Sequence, residues 1–159
     1  MSAWMGRGRT ANWAFLGILT LMMVLWGCGR KGRPIPKDVR VPRAVTNFQI
    51  KKAVGAIQLS WEEPRKDLRG DKLKNLAGYK VLRKRVKPGS NECIDCPAGF
   101  SIVAVLDRDH PVNFKEADGT ILWEDKDVQK PGIYVYRIVP FNSNGYHGAL
   151  STYVSVKIP

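Results

Sequence analysis

The chain contains few of the residues from which catalytic sites and metal centres are usually built. Its 159 residues include 2 histidines and 3 cysteines, and its 14 acidic residues are outnumbered by 26 lysines and arginines. The two histidines, His110 and His147, are isolated in the sequence. We recognise no serine–histidine–aspartate grouping, no paired carboxylates in an identifiable cleft and no phosphate-cradling glycine loop. The sequence therefore predicts a protein that is not an enzyme and that has no metal or cofactor.

The sequence also lacks a clear amphipathic helix and an internal repeat. Seven short segments instead contain β-favouring residues, in alternation or in short apolar runs, and clusters of Gly, Pro, Asn and Asp separate them. These segments are residues 45–50, 56–61, 79–81, 101–106, 121–123, 134–138 and 153–158. Seven strands over roughly a hundred residues predict an all-β fold, a seven-stranded antiparallel immunoglobulin-like sandwich. The aromatic residues predicted to lie in its core are Trp61, Tyr79, Phe100, Trp123 and Tyr136.

One long hydrophobic run is present, and it lies near the N-terminus. Residues 13–26 are mostly apolar and follow a segment that carries Arg7 and Arg9 but no acid. A basic start followed by an apolar stretch of about 7–15 residues is typical of an export signal. Because a transmembrane helix needs about 20 apolar residues, an uncleaved membrane anchor is the less favoured alternative.

The hydrophobic run ends in Leu25-Trp26-Gly27-Cys28, in which Trp26 stands where a small residue would be usual. These four residues resemble the lipobox of bacterial lipoproteins. The resemblance implies that residues 1–27 are a signal peptide, and that Cys28 carries covalent lipid such as palmitate. Two or three acyl chains anchor a protein stably. Since Gly29 rather than aspartate follows Cys28, the resemblance implies the periplasmic side of the outer membrane; the inner membrane and the cell surface are alternatives.

Residues 28–44 are predicted to form a tether, because they are rich in glycine, proline and basic residues. Lysines and arginines beside a membrane each gain about 1 kcal/mol from anionic head groups. The tether opens with Cys-Gly-Arg-Lys-Gly. This opening resembles the start of small lipoproteins that accompany the lipopolysaccharide-export translocon. The likeness implies an accessory factor of lipopolysaccharide or outer-membrane assembly, as an alternative to a general binding module.

Three different motifs follow one another along the rest of the chain. They are Ile57-x-Leu59-x-Trp61-x-x-Pro64, Gly78-Tyr79-x-Val81, and Tyr134-x-Tyr136-Arg137-Ile138 followed by Asn142 and Gly145. Val128, six residues before Tyr134, occupies the apolar position of a tyrosine corner. Together these motifs resemble a fibronectin type III domain, which we place at residues 45–159. The resemblance implies a binding or scaffolding module rather than an enzyme.

Cys93 and Cys96 lie in an unusually long segment between the third and fourth predicted strands. If Cys28 is lipidated, they form the even pair expected of a disulfide in an exported protein. We therefore predict a structural disulfide. A zinc site would need two further ligands, and Pro97 stands where haem attachment would need histidine. A thiol–disulfide or metal-handling protein is the alternative.

Positive charge is the last prominent feature. Without Arg7 and Arg9 the chain keeps 24 basic against 14 acidic residues, a formal charge of +10. This balance favours an anionic lipid or glycan as partner, and the other expected partner is an envelope protein; nucleic acid is not expected. Lys80 and Lys84 alternate onto one strand face and, with Lys87, are the predicted anion-binding residues. A solvated face is the alternative.

Overall fold

A computed structural model describes residues 39–159. The predicted signal peptide at residues 1–27, Cys28, and the tether up to residue 38 lie outside the described residues, so these assignments stay predictions. Within residues 39–159, eight strands are present and no helix is long and apolar enough to cross a membrane. The strands are β1 (Thr46–Ala53), β2 (Ala56–Glu62), β3 (Leu76–Val86), β4 (Ser101–Asp107), β5 (Phe114–Ala117), β6 (Thr120–Asp125), β7 (Gly132–Asn142) and β8 (Val154–Ile158).

The strands form two antiparallel sheets of four. Their orders are β1-β2-β6-β5 and β4-β3-β7-β8. This arrangement confirms the predicted antiparallel sandwich, but it has one strand more than expected. The additional strand, β5, pairs with β6 through a tight turn at Asp118 and Gly119, whose φ angles are 51° and 76°. An Asp-Gly pair is a strong hairpin signal because both residues tolerate positive φ, and the prediction had used it only as a strand separator.

The core lies between the sheets because apolar residues alternate along the central strands. On β2, Ile57, Leu59 and Trp61 are almost fully buried. Trp61 packs edge-to-face against Tyr79 of the opposite sheet, with ring centroids 5.4 Å apart. Such an aromatic pair contributes about 0.5–1.5 kcal/mol beyond the burial of its area. Of the five predicted core aromatics, only Phe100 is outside this core cluster.

Two tyrosines of β7 tie the sandwich together through their hydroxyl groups. Tyr134 donates to the carbonyl of Lys130 at 2.9 Å, which is the predicted tyrosine corner. Tyr136 donates to the buried carboxylate of Asp125 at 2.8 Å, and Arg83 reaches the same carboxylate at 2.8 Å. Burial, followed by the bond to Asp125, raises the pKa of the Tyr136 phenol far above its ordinary value. This phenol therefore stays protonated as a donor in the folded domain.

Candidate functional site

The three lysines predicted to bind anions do not form one accessible stripe. Lys80 and Lys84 do lie on the same, outer face of β3, but Lys84 is only 8% exposed. The Lys84 ammonium donates to the carbonyl of Cys93 at 2.6 Å, so it is engaged inside the domain. Lys80 has its Nζ 3.3 Å from Nε2 of His147, and Lys87 is exposed just beyond the end of β3. Lys84 therefore adds no accessible charge to this face, and anion binding by Lys80 and Lys87 stays a prediction.

Lys84 is covered by the insertion, which we define as residues 87–100 between β3 and β4. Cys93 and Cys96 are joined by a disulfide within it. Gly99 lies against the Lys84 side chain with a φ of +87°, where a Cβ atom would come within 3.3 Å of Cε. Positive φ of this kind strongly favours glycine. The insertion is thus built to lie over this part of the outer face of β3 and β7.

Arg137 of β7 provides the second attachment of the insertion. Its guanidinium carbon lies 5.5 Å from the ring centroid of Phe100 and 5.8 Å from that of Tyr153. The same guanidinium donates to the carbonyl of Asp95 at 3.1 Å. Phe100 therefore packs on an arginine at the outer face of the sheet. Its prediction as a core residue failed because alternation cannot tell which face of a sheet an insertion will cover.

The disulfide loop also contains the one cluster of potential metal ligands found in residues 39–159. It consists of Cys93, Asp95 and Cys96, whose ligand atoms lie within 4.8 Å of one another. Two of these three ligands are the sulfurs of the disulfide. Since zinc binds thiolates rather than disulfide sulfur, this arrangement favours a structural bridge over a metal site.

A group of positively charged side chains lies instead at the end of the sandwich where residues 41–43 enter it. A cleft of about 580 Å³ opens beside the loop between β2 and β3, and we call it the basic cleft. Pro64, Leu73 and Leu76 supply its apolar wall. The charged residues that line it are Glu63, Arg65, Lys66, Lys72, Lys74 and Arg108.

A small hairpin carries three of the cations of the basic cleft: Arg65, Lys66 and Lys72. We define the basic hairpin as residues 65–73; the amide of Leu73 donates to the carbonyl of Arg65 at 2.9 Å, which closes it. Lys66 and Lys72 face each other across it in an antiparallel bridge. Like charges directly opposite each other in such a pair are unfavourable. The fold therefore maintains a repulsion here that an anion between the two lysines would relieve.

Asp67 organises the turn of the basic hairpin. The Asp67 side chain is 2% exposed, and its Oδ1 accepts from the backbone amides of Arg69 at 3.0 Å and Asp71 at 2.9 Å. The entering chain holds the turn from outside, because the amide of Leu68 donates to the carbonyl of Val41 at 2.9 Å. The Arg69-Gly70-Asp71 tripeptide thus forms part of an internally bonded turn.

The cations of the basic cleft differ in how far their charge is already balanced. Arg108 pairs with Glu116 at 2.6 Å and Glu63 at 3.2 Å. Burial alone would lower the pKa of Arg108, but the bond to Glu116 and the charges of Glu116 and Glu63 outweigh it and raise that pKa. By contrast, no carboxylate of residues 39–159 lies within ion-pair distance of the other four cations: Arg65, Lys66, Lys72 and Lys74.

A second surface, with exposed apolar side chains, lies at the edge of the other sheet. Strand β4 is an edge strand, and its Ile102 and Val105 are 55% and 57% exposed. A cleft of about 590 Å³ separates this strand from Phe114 and neighbouring residues of the opposite sheet. We call Ile102, Val105, Val112 and Phe114, with the free edge of β4, the apolar edge.

Sequence analysis did not group the basic residues of the β2–β3 loop into a site. Their pairing across the basic hairpin depends on bonds from residues 41–43, and Arg108 comes from the loop after β4. The available signal was the density of cations between positions 65 and 74. Charge density alone does not distinguish a solvated loop from a preorganised one.

The fold of the chain is similar to that of a known fibronectin type III domain. The third fibronectin type III domain of human KIAA0343 protein has a TM-score of 0.51 at 14% identity, with 82% of this chain and 94% of that domain covered. The pectate lyases Pel3 of Pectobacterium carotovorum and PelI of Erwinia chrysanthemi, the latter in complex with tetragalacturonic acid, have TM-scores of 0.45 at 18% and 17% identity. Each match covers 71% of this chain but only 27% and 28% of the lyases, so the chain spans about a quarter of their length. No protein-family model and no curated protein matches the sequence.

These findings define the fold class. The domain is a fibronectin type III-like sandwich of two four-stranded antiparallel sheets. Sandwiches of this architecture host many unrelated functions, so the fold alone assigns none.

Proposed function

We propose that this protein is a lipid-anchored lipoprotein of the bacterial envelope, and that its fibronectin type III-like domain is a non-enzymatic binding or scaffolding module. The anchor in this proposal is Cys28, which ends the hydrophobic run in the lipobox-like Leu25-Trp26-Gly27-Cys28. A disulfide between Cys93 and Cys96, in an exposed loop, is compatible with a compartment outside the reducing cytoplasm.

The apolar edge is the observation that carries the binding role. Natural edge strands are usually protected by lysine, proline or inward charges, because their free amides and carbonyls can pair with another chain. Strand β4 reads Ser-Ile-Val-Ala-Val-Leu-Asp and carries no lysine or proline. Its register shift opposite Val81 and Leu82 is the only irregularity in its pairing with β3. An extended segment of an envelope protein is therefore the partner that this edge fits, by addition of a strand.

Site-specific photocrosslinking in intact cells tests this role. A photoreactive residue at Val105 of the full-length protein should capture one partner, whereas the same residue at Val54, which is fully exposed in the β1–β2 turn, should not. Equal capture from both positions, or none from Val105, would contradict the proposed binding edge. Cys28→Ser should move the protein out of the outer-membrane fraction or stall its maturation.

An accessory role in lipopolysaccharide or outer-membrane assembly is a more specific form of this proposal. It is supported by the Cys-Gly-Arg-Lys-Gly opening and by the basic charge of the domain. Identification of the captured partner decides it, because an assembly factor should crosslink to a component of that machinery.

A further inference from the structure

We infer that the basic cleft binds the phosphate groups of anionic membrane lipids and so holds one end of the sandwich against the membrane. This inference rests on the proposed anchor at Cys28. It adds a second, electrostatic membrane contact formed by the folded domain itself.

The basic cleft lies at the end of the sandwich where the chain from Cys28 enters. β1 begins at Thr46, which pairs with Glu62 at the end of β2, so the chain enters the sandwich at the end that carries the β2–β3 loop. Residues 41–43 bond directly to the basic hairpin. Eleven Cα–Cα steps lead from Cys28 to Val39, and an extended chain covers at most about 3.6 Å per step. The entry point of the domain therefore lies within about 40 Å of the lipid on Cys28.

The basic cleft carries positive charge that the described residues do not balance. Arg65, Lys66, Lys72 and Lys74 have no carboxylate partner within residues 39–159, and the Lys66–Lys72 bridge places two of them opposite each other. Lysine is a point charge that suits phosphate. Each cation near an anionic membrane gains about 1 kcal/mol, or roughly a fivefold increase in association. Four cations at the basic cleft, three of them on the ordered basic hairpin, therefore favour a surface of many phosphates over a single monovalent ion.

Two other lysines, Lys51 and Lys52, lie away from the basic cleft and allow a comparison within the same molecule. Lys51 and Lys52 lie at the far end of β1, beside the β1–β2 turn, and pair with Gln58 and Ile57. Lys51 and Lys52 are five and six residues further along β1 than Thr46, which is about 17–20 Å of strand. This distance exceeds the screening length of about 8–10 Å in physiological salt. Lys51 and Lys52 are therefore exposed lysines that the inferred contact would leave in solution.

The experiment is a lysine-labelling comparison on the mature, full-length lipoprotein reconstituted into vesicles. An amine-reactive reagent is applied to protein in phosphatidylcholine vesicles and in vesicles that also contain phosphatidylglycerol. We expect Lys66, Lys72 and Lys74 to react about fivefold more slowly in the anionic vesicles, while Lys51 and Lys52 change little. About 0.5 M salt should remove the difference, because screening then shortens to a few ångströms.

Lys66→Gln with Lys72→Gln should return the labelling of Lys74 to its rate in neutral vesicles, and the matched pair Lys51→Gln with Lys52→Gln should not. Unchanged labelling of Lys66, Lys72 and Lys74 in anionic vesicles would overturn the inference, as would equal protection of Lys51 and Lys52. Failure of the anchor itself is separate: the protein would then carry no acyl mass and would not be retained on phosphatidylcholine vesicles.

Discussion

Replacing Asp67 separates the effect of charge in the basic cleft from the effect of its geometry. Asp67→Ala removes a negative charge from the end of the domain that carries Arg65, Lys66 and Lys72. By charge alone, the variant should bind anionic membranes more strongly. Oδ1 of Asp67, however, accepts both amides of the hairpin turn, at 3.0 Å and 2.9 Å. We expect Asp67→Ala to weaken membrane binding because the turn loses its organising acceptor.

The cost in stability follows from these contacts. A hydrogen bond to a charged group contributes about 1.5–3 kcal/mol. Because Arg69 and Asp71 are exposed, water can reach their freed amides, and the lower value applies to each bond. The Arg40 guanidinium, at 3.5 Å and 40% exposed, adds little. Asp67→Ala should therefore lower the free energy of unfolding by about 3 kcal/mol.

Asp67→Asn is the matched control, because its amide oxygen can accept both backbone amides while the negative charge is lost. Urea denaturation should show a loss of about 1 kcal/mol for Asn, against about 3 kcal/mol for Ala. In anionic vesicles, Lys66 and Lys72 should become easier to label in the Ala variant and stay protected in the Asn variant. If the Ala variant kept full protection, the argument that the hairpin geometry creates the site would be refuted.

Two further predictions concern the insertion and the pH dependence of the fold. Lys84→Met should lower the free energy of unfolding by about 1–3 kcal/mol, because the 2.6 Å bond to the carbonyl of Cys93 is lost. Limited proteolysis of the variant should then cut first within residues 87–100. Unchanged proteolysis would show that Lys84 does not hold the insertion. Because the pKa of the Tyr136 phenol is raised, the folded domain keeps a proton that the unfolded chain loses above about pH 10. The free energy of unfolding is therefore fully retained below that pH and falls as pH rises through the folded-state pKa. Tyr136→Phe should reduce the alkaline slope of unfolding free energy by about 1.4 kcal/mol per pH unit, and an identical slope in both proteins would contradict the assignment.

The fold was predictable because its local signals agree with one another. The alternation around Trp61, the Gly78-Tyr79 start of the second motif and the Tyr134 corner all lie where the resemblance placed them. The Asp118-Gly119 pair signals the additional strand β5, but this strand is too short to recognise by alternation. Local pattern is thus sufficient for the sandwich, since each strand carries its own face of the core.

The sites were less predictable because they depend on contacts between distant residues. Lys84 has the sequence pattern of an exposed strand lysine, and only the position of the insertion shows that it is buried. The Lys66–Lys72 pairing requires the entering chain at Val41 to hold the turn. Asp67 looked like one charge among many, although its burial makes it the centre of the basic hairpin.

The central proposal is that Cys28 carries covalent lipid, and intact-mass spectrometry of the protein extracted from membranes tests it most directly. We expect a chain that begins at Cys28, with a mass above that of residues 28–159 by a glyceryl group and two or three acyl chains. A chain that retains residues 1–27, or an unmodified Cys28, would contradict the claim that this binding module is held at the membrane by lipid.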